Sequence, residues 1–131
     1  MVSAGTKYGL RFAVELALHW KRASVDAASA AGRRDIPEAY LRKIAAALRR
    51  AGLVEAERGQ SGGYRLSRDP REISALDVFL ALETPGSAPN GACRAIDQVW
   101  DTMRKAAHDT LESINLADIS ASLTENADWV I

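Results

Sequence analysis

A short stretch of the chain, residues 37–51, combines four cations with small and apolar side chains. The cations are Arg42, Lys43, Arg49 and Arg50. The apolar side chains recur at helical spacing and form a stripe on the other side of the helix: Leu41, Ile44, Ala45 and Leu48. Cations neutralise the phosphates of a nucleic acid, and small alanines between them let a helix approach the floor of a groove. We therefore predict a DNA-reading helix whose outward face carries four cations and no acid, with a merely solvated basic face as the alternative.

The elements before this helix are predicted to complete a helix-turn-helix unit. A first helix covers residues 6–21, and a short alanine-rich helix covers residues 26–31 with Asp26 as its N-cap. We place Pro37 at the first position of the basic helix, where its missing N–H leaves no bond unmade. Gly52 then ends that helix. Two helices joined by a tight turn are the arrangement that presents the second one to DNA.

The segment after the basic helix predicts a two-stranded hairpin. Residues 54–57 and 64–66 both alternate between apolar and polar side chains, as half-buried strands do. The glycine-rich run between them is flanked by Arg58 and Arg65. No Gly-Lys-Ser/Thr sequence follows it, so a nucleotide-binding loop is not indicated. The hairpin fits a wing that touches DNA, and an ordinary hairpin turn is the alternative.

Charge is distributed unevenly along the chain, although the net charge is zero. Residues 1–71 hold 14 Lys and Arg against 7 Asp and Glu, whereas residues 72–131 hold 3 against 10. A basic half joined to an acidic half is typical of a chain in which one part meets a polyanion. We therefore predict a winged helix-turn-helix DNA-binding region over residues 1–70, and a linking helix, loop and dimerisation helix over residues 71–131.

The overall composition indicates a globular cytoplasmic protein. Apolar residues make up 47% and charged residues 26% of its 131 residues. No apolar run is long enough to span a membrane, and no signal peptide is recognisable. A single cysteine cannot form an internal disulfide, which fits a reducing compartment. We expect no membrane partner.

The acidic half is predicted to consist of helices. Ser74 caps a helix that ends near residue 83, and residues 84–91 form a loop rich in proline and glycine. A long helix follows over residues 94–113, and Asn115 caps a last short one. The long helix carries a wide apolar stripe: Ile96, Val99, Trp100, Met103, Ala107, Leu111 and Ile114. This stripe exceeds what a small monomer needs to cover, so we expect a homodimer.

Several motifs in order resemble the Rrf2 family of bacterial transcription regulators. They are Lys7-Tyr8-Gly9-Leu10-Arg11, Tyr40-Leu41, Leu48-Arg49-Arg50-Ala51-Gly52-Leu53-Val54, Arg58-Gly59, Gly62-Gly63-Tyr64 and Leu116-Ala117-Asp118. The resemblance implies a dimeric winged-helix protein that reads a partly palindromic operator. With the face predicted above, it gives these candidate DNA contacts: Lys7, Tyr40, Arg42, Lys43, Arg49, Arg50, Arg58, Gly62 and Gly63.

The cysteine content departs from one branch of that family. Cluster-binding members of the family that this chain resembles carry three cysteines in the loop before the long helix. This chain has only Cys93 there. An iron–sulfur cluster typically needs several thiolates. We therefore expect no metal and no cofactor. Cys93 is either a small packing residue or a redox-sensitive thiol at a helix N-terminus.

These observations predict a dimeric, sequence-specific transcription regulator that binds double-stranded DNA, with repression as the expected mode. The alternative is a winged-helix module that regulates an enzyme through its acidic half. No hydrolase, metalloprotease or paired-cysteine motif is present, so we expect no enzymatic activity. The signal is left open between a small molecule, a partner protein and oxidation of Cys93.

Overall fold

The computed structural model describes residues 4–57, 63–82 and 94–125. Its elements in chain order are α1 (Ala4–Leu18), α2 (Ala27–Arg34), α3 (Glu38–Arg50), β1 (Val54–Ala56), β2 (Tyr64–Leu66), a 3-10 helix (Pro70–Glu72), α4 (Ala75–Leu82), α5 (Arg94–Glu112) and α6 (Leu116–Glu125). The predicted fold class, mainly α with a small hairpin wing and a long C-terminal helix, is confirmed. The predicted loop over residues 84–91 lies outside the described residues. None of the described helices is long and apolar enough to cross a bilayer.

Helix α1 is the centre of the molecule, because α2, α3, α4 and α6 all pack against it. Its Phe12 and Val14 are fully buried and share one apolar core with Leu41 of α3. The predicted stripe of α3 is confirmed, since all four of its apolar side chains are buried. Ile73 and Leu116 belong to the same core, so both halves of the chain contribute to it. The assignment of DNA binding to residues 1–70 and of dimerisation to residues 71–131 stays a prediction.

The predicted helix caps are confirmed by their hydrogen bonds. The Asp26 side chain accepts the N–H three residues further on at 2.7 Å. Ser74 and Asp77 cap each other reciprocally. The Asp77 N–H donates to the Ser74 hydroxyl, with 3.1 Å between nitrogen and oxygen, and the Ser74 N–H donates to the Asp77 carboxylate at 2.9 Å. Asn115 accepts an N–H from α6 at 2.8 Å. These bonds occupy donors that the first helical turn leaves without an internal partner.

Three predicted helix boundaries are wrong. Helix α1 ends before residue 21, because Lys21 adopts a left-handed φ of 64°. Helix α2 continues past residue 31 to Arg34, and Asp35 then ends it with a φ of 53°. Pro37 precedes α3 instead of opening it, since its ψ of 127° is extended. The turn between α2 and α3 is therefore shorter than predicted.

A buried ion pair joins α1 to α2. The carboxylate of Glu15 is fully buried, and the guanidinium of Arg34 contacts its Oε2 at 2.5 Å. On the other side, the His19 ring nitrogen Nδ1 lies 3.6 Å from Oε1. Glu15 sits among apolar neighbours along the chain, and nothing in the helical spacing predicts that it points inward. Two charges removed from water are tolerated only while they remain in contact.

Replacing Arg34 with Met should lower the free energy of unfolding by about 3–5 kcal/mol, because it removes a cation in direct contact with a buried carboxylate. Urea denaturation followed by circular dichroism measures this change. Arg71→Met is the matched control, since Arg71 is exposed and its side-chain hydrogen bond holds the pKa of Asp69 below the ordinary value. Exposed pairs stabilise little, so the control should unfold near the wild-type midpoint. Equal midpoints for both variants would contradict the role given to Arg34.

Candidate nucleic-acid interface

The outward face of α3 carries the predicted cations. Arg42, Lys43, Arg49 and Arg50 are all exposed. At about 100° per residue, Lys43 and Arg50 lie opposite the buried stripe, and Arg42 and Arg49 lie on one flank of it. Gly52 follows with a positive φ of 78°, which reverses the chain into the hairpin. The structure thus brings these four candidates together on one helix. A helix of this length and charge fits the major groove of DNA, where side chains reach both phosphates and base edges.

One acid interrupts this basic face, contrary to the prediction. Glu38 occupies the first turn of α3, and its Oε1 lies 3.4 Å from Nη2 of Arg42. The two residues are one turn apart, so a helix places them side by side. Both side chains are at least half exposed, and the pair is weak. In the free protein, Arg42 is therefore shared with a carboxylate that competes with any phosphate or base.

Tyr40 is held in place by the start of α1. Its ring meets the ring of Tyr8 edge-on, with 5.5 Å between centroids and 67° between planes. A Cβ on Gly5 would lie 2.6 Å from the Tyr40 hydroxyl, so a larger residue there would push the ring from its place. Arg11 stacks over the other partner, 5.6 Å from the Tyr8 centroid. The motifs predict a role for Tyr40, and the structure adds Tyr8 and Gly5 as the residues that position it.

Lys7 lies exposed in the same turns of α1 as Tyr8 and Arg11. The start of α1 thus carries one exposed cation, Lys7, and one half-buried cation, Arg11, on the helix that holds Tyr40 in place. Because the side chain of Lys7 is free to extend from the surface, it is positioned to reach a phosphate next to the groove that α3 would occupy. Its DNA contact stays a prediction.

The base of the wing is anchored to the loop between α1 and α2. In the hairpin, Val54 faces Leu66, and the N–H of Tyr64 donates to the Val25 carbonyl while the Val25 N–H donates to the Tyr64 carbonyl, each at 2.8 Å. A Cβ on Gly63 would lie 2.6 Å from the carbonyl carbon of Val25. Close approach of two backbones therefore requires glycine at this position. Its predicted contact with DNA is not tested by this geometry, and Arg58 and Gly62 lie outside the described residues.

Arg65 is engaged within the wing. It lies directly opposite Glu55 in the hairpin register, and its Nε is 3.3 Å from the Glu55 carboxylate. Its Nη1 is 3.0 Å from Glu57, which also accepts a hydrogen bond from Ser24 at 2.9 Å. Arg65 flanks the glycine-rich run as predicted, and two carboxylates of the hairpin already pair with it. The alternation of side chains along one strand does not give the cross-strand register that determines this pairing.

An open groove of about 660 Å³ separates α3 from the hairpin. Arg49 and Arg50 line one side, Glu55 lines the other, and small or apolar residues form the floor. The cations on the α3 side belong to the same exposed face as Arg42 and Lys43. We assign this groove to the same interface, since it joins the reading helix to the wing.

The long helix α5 exposes an apolar stripe. Val99 is 69% and Met103 42% exposed, and Ala107 is exposed as well. Towards the end of the stripe, Leu111 and Ile114 are half-buried. The side chains of Ile96 and Trp100 lie outside the described part of the chain. On α4, Leu80 is also 59% exposed, an apolar residue that was not predicted to lie at the surface.

A helix-turn-helix with an exposed basic second helix and a hairpin wing defines the winged-helix class of DNA-binding proteins. Within that class the chain belongs to the Rrf2 family. The family model, described as "Rrf2: Iron-dependent Transcriptional regulator", matches residues 2–122. The chain is therefore a DNA-binding transcription regulator and not an enzyme.

Named relatives and solved structures agree with this assignment. The chain is 32% identical over 123 residues to the regulator CymR of Bacillus subtilis (strain 168), covering 92% of this chain and 89% of the relative. It is 32% identical over 132 residues to IscR of Cereibacter sphaeroides, covering 90% and 85%. The structure of T. potens IscR superposes with a TM-score of 0.82 at 34% identity, covering 100% of this chain and 93% of that one. CymR (YrzC), titled the global cysteine regulator of B. subtilis, gives 0.77 at 31%, covering 93% and 97%.

The donor set of this chain does not fit an iron–sulfur cluster held by its own thiolates. The sequence has one cysteine and two histidines, whereas such clusters are usually held by four cysteines. In residues 4–57, 63–82 and 94–125, no group of three or more His, Cys, Asp or Glu is placed to hold a metal ion. Cys93 lies outside these residues, and its packing or redox role stays a prediction.

Gly63→Ala should move the hairpin away from Val25 and lower stability by about 1–3 kcal/mol, because the added methyl overlaps the Val25 backbone. Affinity for DNA should fall with it. Gly32→Ala is the matched control, since a Cβ there meets nothing within 4 Å and the residue lies inside α2. That control should stabilise the protein by roughly 0.5–1 kcal/mol. Urea denaturation and DNA titration of both variants test the anchor, and a Gly63→Ala variant as stable as wild type would refute it.

Proposed function

We propose that the chain is a homodimeric repressor that reads a partly palindromic operator with α3 of each protomer in the major groove. The proposed DNA contacts are Lys7, Tyr40, Arg42, Lys43, Arg49, Arg50, Arg58, Gly62 and Gly63. The observation that carries this proposal is the separation of α3 into a fully buried apolar stripe and an exposed face with four cations. Helix α3 therefore leaves its basic face available to a partner.

The partner that suits this face is a polyanion with a groove. Arg42 and Lys43 sit near the middle of α3, where they can reach base edges, and Arg49 and Arg50 lie at its end, where they can reach phosphates. Tyr40 adds a rigid aromatic ring whose position is set by Tyr8. The excess of cations in residues 1–71 would draw the domain to DNA before any base is read.

Dimerisation is supported by the exposed apolar stripe of α5. A side chain as apolar as Val99 or Met103 is stabilised by leaving water, and a second copy of the same helix offers a complementary surface. A two-fold dimer presents two copies of α3, which matches two half-sites of a palindrome. A dimer bound across a promoter would exclude RNA polymerase, so we propose that the protein acts as a repressor. We place it in the cytoplasm, where bacterial DNA lies.

Alanine at Arg42 or Lys43 should weaken operator binding by about 1–3 kcal/mol if the lost contact is to a base edge, and should relax discrimination at one base pair. The operator is first recovered from genomic fragments that the purified protein retains. Lys105→Ala, which removes an exposed cation from α5, is the control and should bind like wild type. Affinities are measured by fluorescence anisotropy across several salt concentrations.

The salt dependence provides the decisive readout. Each neutralised phosphate contributes about −0.9 to the slope of log K against log salt, so a variant that loses a phosphate contact has a shallower slope. A flat salt response in the wild-type protein, or no duplex binding at low salt, would overturn the proposal. In that case the alternative of a protein-interaction module would stand.

Met103→Glu should dissociate the dimer, because it places an unpaired charge in an apolar interface. Operator affinity should then fall by roughly 100-fold or more, since two linked reading heads become independent. Lys105→Glu is the matched control: it introduces the same side chain roughly 200° further round the same helix. Analytical ultracentrifugation measures the assembly, and a monomeric Met103→Glu protein with wild-type operator affinity would contradict the model.

A further inference from the structure

A second cavity, of about 790 Å³, lies between the end of α1 and the hairpin, away from the basic face of α3. Cavities that bind small ligands typically occupy about 300–1,000 Å³. The lining residues come from the α1–α2 loop on one side and from the wing on the other. Its apolar floor includes Leu16 and Leu66, both buried, and Trp20 packs against the same core. None of the described candidates for DNA contact lines this cavity.

The hydrogen-bonding capacity of Trp20 is unmet. Among the described residues, its Nε1 is buried and has no hydrogen-bond partner. An indole N–H donates and cannot accept, and a buried donor left unpaired costs free energy. Trp20 also lines the cavity, so a rotation of its ring would bring this covered donor to an acceptor oxygen on a ligand.

Acidic and basic side chains line opposite sides of the cavity. On the wing side, Glu55 and Glu57 are already paired with Arg65. On the loop side, Lys21 and Arg22 are exposed, and neither lies within 4.0 Å of a carboxylate of the described residues. Lys21 is close enough to Asp69 to help lower the pKa of that carboxyl, but no direct contact joins them. The two cations can therefore still accept an anion, whereas the wing carboxylates are already paired. The complementary ligand carries negative charge, an acceptor oxygen and an apolar body.

We propose that this cavity binds a small organic carboxylate with an apolar body, and that its occupancy weakens DNA binding. The carboxylate lies against Lys21 and Arg22 within reach of the Trp20 indole, and the apolar part covers Leu16 and Leu66. The claim that occupancy weakens DNA binding rests on the proposed function, because it requires the protein to bind DNA.

Two features connect the cavity to the DNA-binding elements. The hairpin residues that line it belong to the wing itself. Ser67, another lining residue, donates a hydrogen bond from its hydroxyl to the carbonyl of Gly52 at 2.5 Å, directly after α3. An anion held there also cancels the attraction of Lys21 and Arg22 for phosphates. Binding should therefore lower the affinity for DNA about tenfold, which corresponds to ~1.4 kcal/mol of coupling.

Nuclear magnetic resonance of the ¹⁵N-labelled dimer tests the binding step. The chain has three tryptophans, and the indole signal missing from Trp20→Phe identifies the reporter. The probes are phenylacetate and 4-methylpentanoate, each titrated against its neutral amide. We expect a saturable shift of the Trp20 indole signal with the carboxylates and none with the amides. Lys21→Gln/Arg22→Gln should weaken that binding at least about tenfold, since it removes the anion's partners, ~1.4 kcal/mol or more.

Arg104→Gln/Lys105→Gln is the matched control, because it removes the same charge from α5 and should leave the titration unchanged. Equal responses to carboxylate and amide, or no saturable shift with either carboxylate, would overturn the site.

Anisotropy titrations of DNA with and without phenylacetate test the coupling. A saturable shift with unchanged DNA affinity would overturn the regulatory link alone. Loss of all DNA binding by the unliganded protein would instead count against the proposed function and leave the indole titration as an independent test of the site.

Discussion

The contact between Glu15 and Arg34 is the constraint on which the placement of the reading helix depends. Apolar surfaces can slide over one another at modest cost, but a buried carboxylate and guanidinium lose their mutual stabilisation as soon as they separate. This contact therefore fixes α2 at one position along α1. Since α3 packs against both, its orientation relative to the start of α1 is fixed as well. The edge-on contact of Tyr8 with Tyr40 depends on that same arrangement.

Local features of the structure could be predicted from the sequence because they depend on neighbours along the chain. The buried stripe of α3 and the caps at Asp26 and Ser74 follow from helical spacing and from side chains that reach their own first turn. Contacts between distant segments could not be predicted in the same way. Glu15 lies among apolar residues of α1, and the guanidinium that its buried carboxylate contacts lies nineteen positions away. Gly63 resembles a flexible wing residue until the Val25 backbone is placed against it.

The wing is held to the rest of the molecule by bonds at both ends of its base. Val25 and Ser24 bond to one end, through a paired backbone bridge and a hydroxyl bond to Glu57. Ser67 bonds to the other end, at the turn that follows α3. Loop, wing and reading helix thus share polar contacts, so that a displacement of one changes the geometry of the others. The cavity beside Trp20 lies within this same set of contacts.

The carboxylate of Glu38 at the head of the reading helix has a consequence for searching along DNA. With α3 in the major groove, as proposed above, the phosphates of an arbitrary sequence would repel this acid, which still attracts Arg42, so loose encounters would be short-lived. At a matching sequence Arg42 would gain a base partner and release the acid. The cost of Glu38 would then fall mainly on incorrect sites, so that selectivity increases although the tightest attainable binding decreases. A face made only of cations would hold DNA more strongly and distinguish less between sequences.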